Sequence, residues 1–215
     1  MQAQPAHSAA DFLPSHLSLP ALRKAAAACT GCALFRNATQ TVFGEGPRNA
    51  HLLLIGEQPG DKEDLEGKPF VGPAGKLLTR AVEAAGIDRQ DVYITNAVKH
   101  FKWDPRGKRR IHKKPQQAEI QACAPWLQAE VRVIRPAVVV CMGVTAASAA
   151  FGRAVRLGDH RGRFSETPLA PSTFVTAHPS AILRLTDKAQ HRREFQRLVN
   201  DLTRVREHIA QVPPA

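Results

Sequence analysis

The chain has 215 residues, which is enough for one full hydrophobic core and short for two. Apolar residues make up 43% of it, as in an ordinary globular domain, and no apolar run is long enough to span a bilayer, so we expect no membrane partner. The formal net charge of +11 favours a polyanionic partner instead, because Lys and Arg displace counterions from phosphates.

The chain order of apolar runs predicts one α/β domain. Residues 1–17 are polar and contain proline, so we expect them to be flexible; no basic segment followed by an apolar block occurs there, so we expect no signal peptide and a cytoplasmic location. Strands are predicted at 51–56, 92–95, 137–142 and 173–177, and helices at 19–29, 74–85, 115–132, 144–151 and 188–209. Strands alternating with helices predict a three-layer α/β/α sandwich over residues 18–210, with a central, mostly parallel four-stranded sheet.

Four cysteines suggest a metal site. Cys29 and Cys32 form a C-x-x-C pair, whereas Cys123 and Cys141 lie far along the chain. Disulfides are disfavoured in a cytoplasmic protein, so metal binding becomes the leading interpretation. Four thiolates suit either zinc or an iron–sulfur cluster, and the spacing does not choose between them. The alternative is two buried thiols beside a chance C-x-x-C, since Cys141 lies in an apolar strand.

Polar residues follow three of the predicted strands. Glu57 and Gln58 come after the first strand, Asn96 after the second, and His178 and Ser180 after the fourth. Ligands bind beyond the carboxyl ends of parallel strands, so these side chains are expected to share one pocket.

The segment 99–114 is strongly basic, with Asp104 as its one acidic residue. A charge run of this kind is usually a solvated face. Because this one lies between structured segments, we interpret it as a loop that faces nucleic acid.

Four motifs in this order resemble the uracil-DNA glycosylase superfamily: GEQPG at 56–60, GKPFVGPAG at 67–75, ITNAVK at 94–99 and HPS at 178–180. The cysteine spacing resembles its iron–sulfur branch, which implies a [4Fe–4S] cluster held by the four cysteines. The GKRRIH sequence at 107–112 and Gln58 resemble the UdgX branch. Ordinary iron–sulfur members carry Cys-Arg-Pro-Pro after the Asn strand, where this chain has His100, and this departure also favours UdgX.

The resemblance implies uracil-containing DNA as substrate, with single strands accepted, and a base flipped into a pocket. Phe70 is then the stacking platform, Asn96 pairs with uracil O4 and N3–H, and Gln58 lines the pocket. His178 is expected to donate to uracil O2 as the base leaves.

The UdgX resemblance further implies that His112 attacks the sugar C1′ and stays attached, with Glu57 orienting its ring, which makes a single-turnover enzyme. Two alternatives remain open: a turnover iron–sulfur glycosylase that releases abasic DNA, and a non-catalytic iron–sulfur DNA-binding module. A monomer is expected. The expected DNA contacts are Lys108, Arg109, Arg110, Lys113, Ser180, Leu183 and Arg184.

Overall fold

The computed structural model describes residues 8–211. Its strands are β1 (Leu52–Gly56), β2 (Val92–Asn96), β3 (Trp103–Arg106), β4 (Arg109–His112), β5 (Val138–Met142), β6 (Phe164–Ser165) and β7 (Thr173–Thr176). Its α-helices are α1 (Leu19–Ala26), α2 (Asp61–Glu66), α3 (Pro73–Ala84), α4 (Gln117–Ile134), α5 (Val144–Phe151), α6 (Leu157–His160), α7 (Pro179–Leu183) and α8 (Lys188–Ile209).

The main sheet has the strand order β2-β1-β5-β7-β6. The first four strands in that order are parallel and wholly buried, as their runs of Val, Leu and Ile require. The sheet therefore has five strands rather than the four expected. The additional strand, β6, pairs antiparallel with β7 and has only two residues, too short to leave an apolar run in the sequence.

Alternate residues of the central strands point to opposite faces of the sheet. Leu52 and Leu54 pack in the same apolar cluster as residues of α3 and α8. Leu53 and Ile55 belong to a second cluster with residues of α4 and α5. Helices on both faces of the sheet confirm the predicted α/β/α sandwich.

The N-terminal segment packs on α4. Residues 1–7 lie outside the described range, but within the segment expected to be flexible Ala9–Phe12 form a 3-10 helix. Ala9 is buried in a third apolar cluster with Leu22 of α1 and with Trp126 and Cys123 of α4. This cluster fixes the N-terminal segment to the edge of the domain.

The basic segment 99–114 contains a hairpin. Strands β3 and β4 pair antiparallel, with Trp103 opposite His112, apart from the main sheet. Gly107 occupies the turn with φ of 59°, a left-handed conformation that glycine adopts without strain. The hairpin carries His112 at its end toward the main sheet. Across residues 8–211, no helix is both long enough and apolar enough to cross a membrane.

Candidate active site

A cavity of about 720 Å³ opens at the carboxyl ends of β1, β2, β5 and β7. The topology predicts a pocket at this edge, and the polar residues expected there do meet. The predicted site residues that line the cavity are Glu57, Gln58, Phe70, Asn96, His112, His178, Ser180, Leu183 and Arg184.

His178 is held as a neutral ring with a known tautomer. It is the N-cap of α7, and its Nδ1 accepts the Ser180 N–H at 3.1 Å, with the Ser180 hydroxyl at 2.8 Å. A backbone N–H can only donate, so Nδ1 is unprotonated and Nε2 carries the hydrogen. The His178 pKa is lowered to about 4, first by burial and then by the charges of Arg184 and His112. The ring therefore offers an Nε2–H donor without a positive charge.

Asn96 lies at the end of β2, 2% exposed, where only glycine fits beside it. A Cβ on Gly56 would overlap Asn96 Oδ1 and would stand 2.6 Å from Phe70 Cζ. Phe70 itself has a φ of 58°, and a Cβ on Gly75 would overlap its carbonyl. The two glycines therefore allow the amide of Asn96 and the ring of Phe70 to approach the same space.

Behind Asn96 lies a wholly buried ion pair that the sequence did not suggest. Lys99 Nζ is 2.6 Å from Glu130 Oε2, and neither side chain is exposed. Lys99 Nζ also donates to the Asn96 carbonyl at 2.8 Å. Glu130 accepts further hydrogen bonds from the Tyr93 and Thr95 hydroxyls. A charge buried with this many partners is firmly placed, so the pair fixes the backbone that carries Asn96.

Gln58 braces the hairpin. Its Nε2 donates to the carbonyls of Lys102 and Lys113 at 3.2 and 2.9 Å, and its Oε1 accepts the Lys102 N–H at 3.1 Å. These residues flank β3 and β4, so one amide joins both strands to the loop after β1. Gln58 lines the cavity, as expected, but its amide is occupied by the hairpin rather than presented to a base.

Arg110 is a clamp for the hairpin rather than a residue presented to DNA. Its guanidinium lies 2.5 Å from Asp61 Oδ1 and 2.6 Å from Asp64 Oδ2. It also stacks over the rings of Phe101 and Trp103, at 5.5 and 5.6 Å from their centroids. Two carboxylates and two rings use its donors and faces, and they tie the hairpin to α2. These contacts also give Asp61, Asp64 and Trp103 a role that sequence alone did not indicate.

His112 stands at the cavity rim with Glu57 beside it. Its Nε2 is 3.4 Å from Glu57 Oε1, and its side chain is 47% exposed. Burial lowers the His112 pKa, Glu57 raises it, and Arg184 lowers it. Thr145 donates to the other carboxylate oxygen of Glu57. The ring thus has a carboxylate on one nitrogen and access to the cavity.

The remaining expected DNA contacts divide between the rim and the interior. Lys108 and Arg109 are exposed at the hairpin turn, and Leu183 is 41% exposed at the end of α7. Arg184 is exposed beside it. Lys113 is exposed and pairs with Asp104 at 2.8 Å. Ser180 instead holds His178, as described above.

Glu63 is a buried carboxylate that the sequence analysis missed. Its Oε1 accepts the Gly72 N–H at 3.0 Å, and a Cβ on Gly60 would stand 2.6 Å from its Oε2. It links the GEQPG loop to the start of α3, and both line the cavity. No spacing or motif marks it, since it is one of several acids in α2.

The structure brings three of the four cysteines together. Cys29, Cys32 and Cys123 share the apolar cluster between α1 and α4, whereas Cys141 lies in the cluster on the α5 side of β5. The pKa of Cys123 is raised to about 12, mainly by burial, while Lys99 lowers it and the thiols of Cys32 and Cys29 raise it. The Cys141 pKa is raised by burial alone, with no influence from another thiol.

The structure thus groups three of the four expected ligands and leaves Cys141 in a separate apolar cluster. Among residues 8–211 no group of three Cys, His, Asp or Glu side chains has the geometry to hold one metal ion. These residues therefore do not offer the ligands that a single tetrahedral zinc ion needs. A cluster places its ligands on different irons, so its thiolates need not converge on one point.

Comparison with known proteins settles the family. The profile described as the Uracil DNA glycosylase superfamily matches residues 43–203, which contain the whole cavity. The chain belongs to this superfamily.

Three relatives bear the same name. The type-4 uracil-DNA glycosylase of Saccharolobus solfataricus is 39% identical over 163 residues, 72% of each chain. That of Thermotoga maritima is 40% identical over 157 residues, 73% of this chain and 78% of the relative. That of Pyrobaculum aerophilum is 36% identical over 176 residues, which are 79% of this chain and 85% of the relative. The superfamily resemblance is confirmed, and the finer likeness to UdgX stays a prediction.

Proposed function

We propose that this protein is a uracil-DNA glycosylase that contains an iron–sulfur cluster and ends its reaction bonded to DNA through His112. The observation that carries the proposal is the position of His112, with Nε2 3.4 Å from Glu57, on the same cavity as Asn96, Phe70 and His178.

Base choice follows from Asn96. A uracil flipped into the cavity stacks on Phe70 and pairs its O4 and N3–H with the amide of Asn96. Cytosine presents a donor where uracil has O4 and an acceptor where uracil has N3–H. It would leave a buried amide unpaired, which a polar site rejects strongly.

Cleavage breaks the bond between uracil N1 and C1′, and the electron pair leaves with the base. The uracil anion gathers charge on O2, toward which the Nε2–H of His178 donates. A neutral donor needs no proton transfer to act, and the Ser180 bonds keep it in that state.

The sugar cation is then captured. The lone pair of the second imidazole nitrogen of His112 forms a bond to C1′, while Glu57 holds the hydrogen on the nitrogen that faces it. The product is an imidazolium beside a carboxylate, so the charge created by bond formation is compensated. Arg110, Gln58 and their partners hold the hairpin that carries His112.

A turnover enzyme is the second candidate. The relatives are named type-4 uracil-DNA glycosylases, and these names support simple excision, with water in place of His112, equally well. The third candidate, a non-catalytic DNA-binding module, predicts binding without uracil release.

The cluster has a structural role in this proposal, since glycosidic cleavage needs no electron carrier. Similarity to the type-4 enzymes and the shared location of Cys29, Cys32 and Cys123 support it. Bound there, it would join the N-terminal segment to α4.

The test uses a uracil-containing single-stranded oligonucleotide and a denaturing gel. The parent should give a shifted band that survives heat and detergent, together with released uracil. His112→Ser should give no such band. His51→Ser is the matched control, because His51 is exposed just before β1, at the opposite edge of the sheet. If the parent leaves alkali-labile abasic DNA without a shifted band, it is the turnover enzyme. If it gives neither the shifted band nor abasic DNA, the binding module takes its place.

A further inference from the structure

A second cavity, of about 1000 Å³, lies where β1 begins and α4 ends, and we name it the amino-end cavity. Three segments that are distant in the sequence form its wall: residues 15–17 before α1, residues 48–51 before β1, and residues 132–135 at the end of α4. The active-site cavity lies at the other end of β1, whose five residues span about 16 Å. A ligand in the amino-end cavity therefore does not touch the reacting groups.

The wall of the amino-end cavity is basic. Arg48, Arg132 and Arg135 line it, together with His16 and His51, and within residues 8–211 no Asp or Glu belongs to the lining. In that same range no carboxylate pairs with any of the three arginines. Arg132 lies in the last turn of α4, where a positive charge offsets the helix dipole. Arg48 and His51 come from another segment, so the helix end alone does not account for the basic wall.

Arg135 has a backbone conformation that favours glycine. It is the C-cap of α4, with φ of 53° and ψ of 55°. Among residues 8–211, Phe70 in the active-site cavity is the other non-glycine residue with a positive φ. Helices that end in this left-handed conformation usually have glycine there, because a Cβ is strained in it. A strained arginine in the wall of a cavity indicates that its side chain has a use there.

The same wall contains aliphatic side chains. Ile134 is buried, and Leu17 and Val133 are half-buried. No Phe, Tyr or Trp lines the cavity in the part of the chain that the structure describes. Sites for single-stranded nucleic acid combine basic groups with aromatic rings on which the bases stack, so this lining does not suit a base. It suits an acidic peptide, because guanidinium groups bind carboxylates in pairs of hydrogen bonds and an aliphatic residue of the peptide can pack on Leu17 and Val133.

We propose that the amino-end cavity binds an acidic peptide segment of a partner protein, with its carboxylates on Arg48, Arg132 and Arg135 and an aliphatic side chain against Leu17 and Val133. The net charge of +11 attracts such a segment and speeds its association. Because the cavity lies at the opposite edge of the sheet from the active site, the partner remains bound while DNA occupies that site. The partner thus brings the protein to DNA without taking part in the reaction.

The experiment measures fluorescence anisotropy of a labelled peptide made of four aspartates and two leucines. Arg132→Glu and Arg135→Gly should each weaken its binding about 10-fold or more, since each removes a guanidinium from the cavity. Arg135→Gly should also raise the Tm, because glycine adopts the left-handed conformation without strain, so its loss of binding is not a loss of folding. The matched control is Arg193→Glu, an exposed charge reversal on α8, which packs on the other face of the sheet from α4. It should change the affinity less than about 2-fold.

Equal peptide binding by the parent and Arg132→Glu would overturn the proposal. A loss in Arg193→Glu as large as in Arg132→Glu would do so as well, since binding would then follow net charge alone. Displacement of the peptide by a uracil-containing oligonucleotide that saturates the active site would make nucleic acid the occupant. A parent that elutes as a dimer, with Arg132→Glu as a monomer, would make it a second copy of the chain. Uracil release by Arg132→Glu should equal that of the parent, so this test and that of the proposed function fail separately.

Discussion

The buried pair of Lys99 and Glu130 tests how Asn96 is held. Glu130→Gln replaces the carboxylate by a neutral amide of similar shape. The Lys99 ammonium, 2.6 Å away and wholly buried, then has no opposite charge beside it. The same ammonium holds the Asn96 carbonyl, so the substitution acts on both stability and the base-reading residue.

The expected magnitude follows from burial. Removing one partner of a buried ion pair costs about 3–5 kcal/mol, because the remaining charge stays out of water. The glutamine amide adds to this cost, because both carboxylate oxygens of Glu130 accept hydrogen bonds. One accepts from the Tyr93 hydroxyl and the Gly44 N–H, and the other from Lys99 and Thr95. The glutamine NH₂ group would meet donors in either orientation. We expect a loss of about 4 kcal/mol in the free energy of unfolding and excision slower by about 100-fold.

Urea unfolding at pH 7, followed by tryptophan fluorescence, measures the first effect, and single-turnover uracil release measures the second. Asp104→Asn is the control, because it breaks the exposed pair with Lys113 and should cost less than about 1 kcal/mol. A loss in Glu130→Gln as small as in the control would refute the reasoning. The expected loss of stability with excision at the parent rate would show that the pair supports the fold without positioning Asn96.

Three further predictions concern the cavity and the hairpin. The His178 pKa is about 4 in the folded protein, below the ordinary 6.5, so uracil release by His112→Ser should stay constant from pH 7 to about 5 and fall toward pH 4. The free energy of unfolding, followed by thermal melts, should decline as the pH drops below 6.5, because the unfolded chain takes up the proton first. Arg110→Ala should slow cross-linking about 10-fold or more while uracil release continues, because the hairpin loses its carboxylate partners. The control is Arg109→Ala, an exposed neighbour that should change only the salt dependence of binding. Equal cross-linking by both variants would contradict the role of Arg110 in holding the hairpin. Gly56→Ala should abolish excision while keeping the far-ultraviolet circular dichroism spectrum of the parent, because the alanine Cβ would overlap Asn96 Oδ1. A variant that is both folded and active would show that the space beside Gly56 is not used.

Local patterns in the sequence predict most of the scaffold. The predicted helices 144–151 and 188–209 coincide with α5 and α8, and each of the four predicted strands lies within two residues of an observed one. Short elements escaped, since β6 and the β3–β4 hairpin are too short or too charged to show a period. The meeting of Asn96 and His178 was predictable because parallel strands end at one edge.

What the sequence determined by itself was therefore the class of fold, the edge at which the site forms and the residue types that gather there. The tertiary structure alone decided how particular charges and thiols are used. Arg110 pairs with Asp64, and Gln58 donates to the Lys113 carbonyl. Glu130 pairs with Lys99, and Cys141 lies apart from the other cysteines. Periodicity reports which face of an element is apolar, but a partner for a charge or a thiol comes from segments distant in the chain, and only packing determines which of them come within bonding distance.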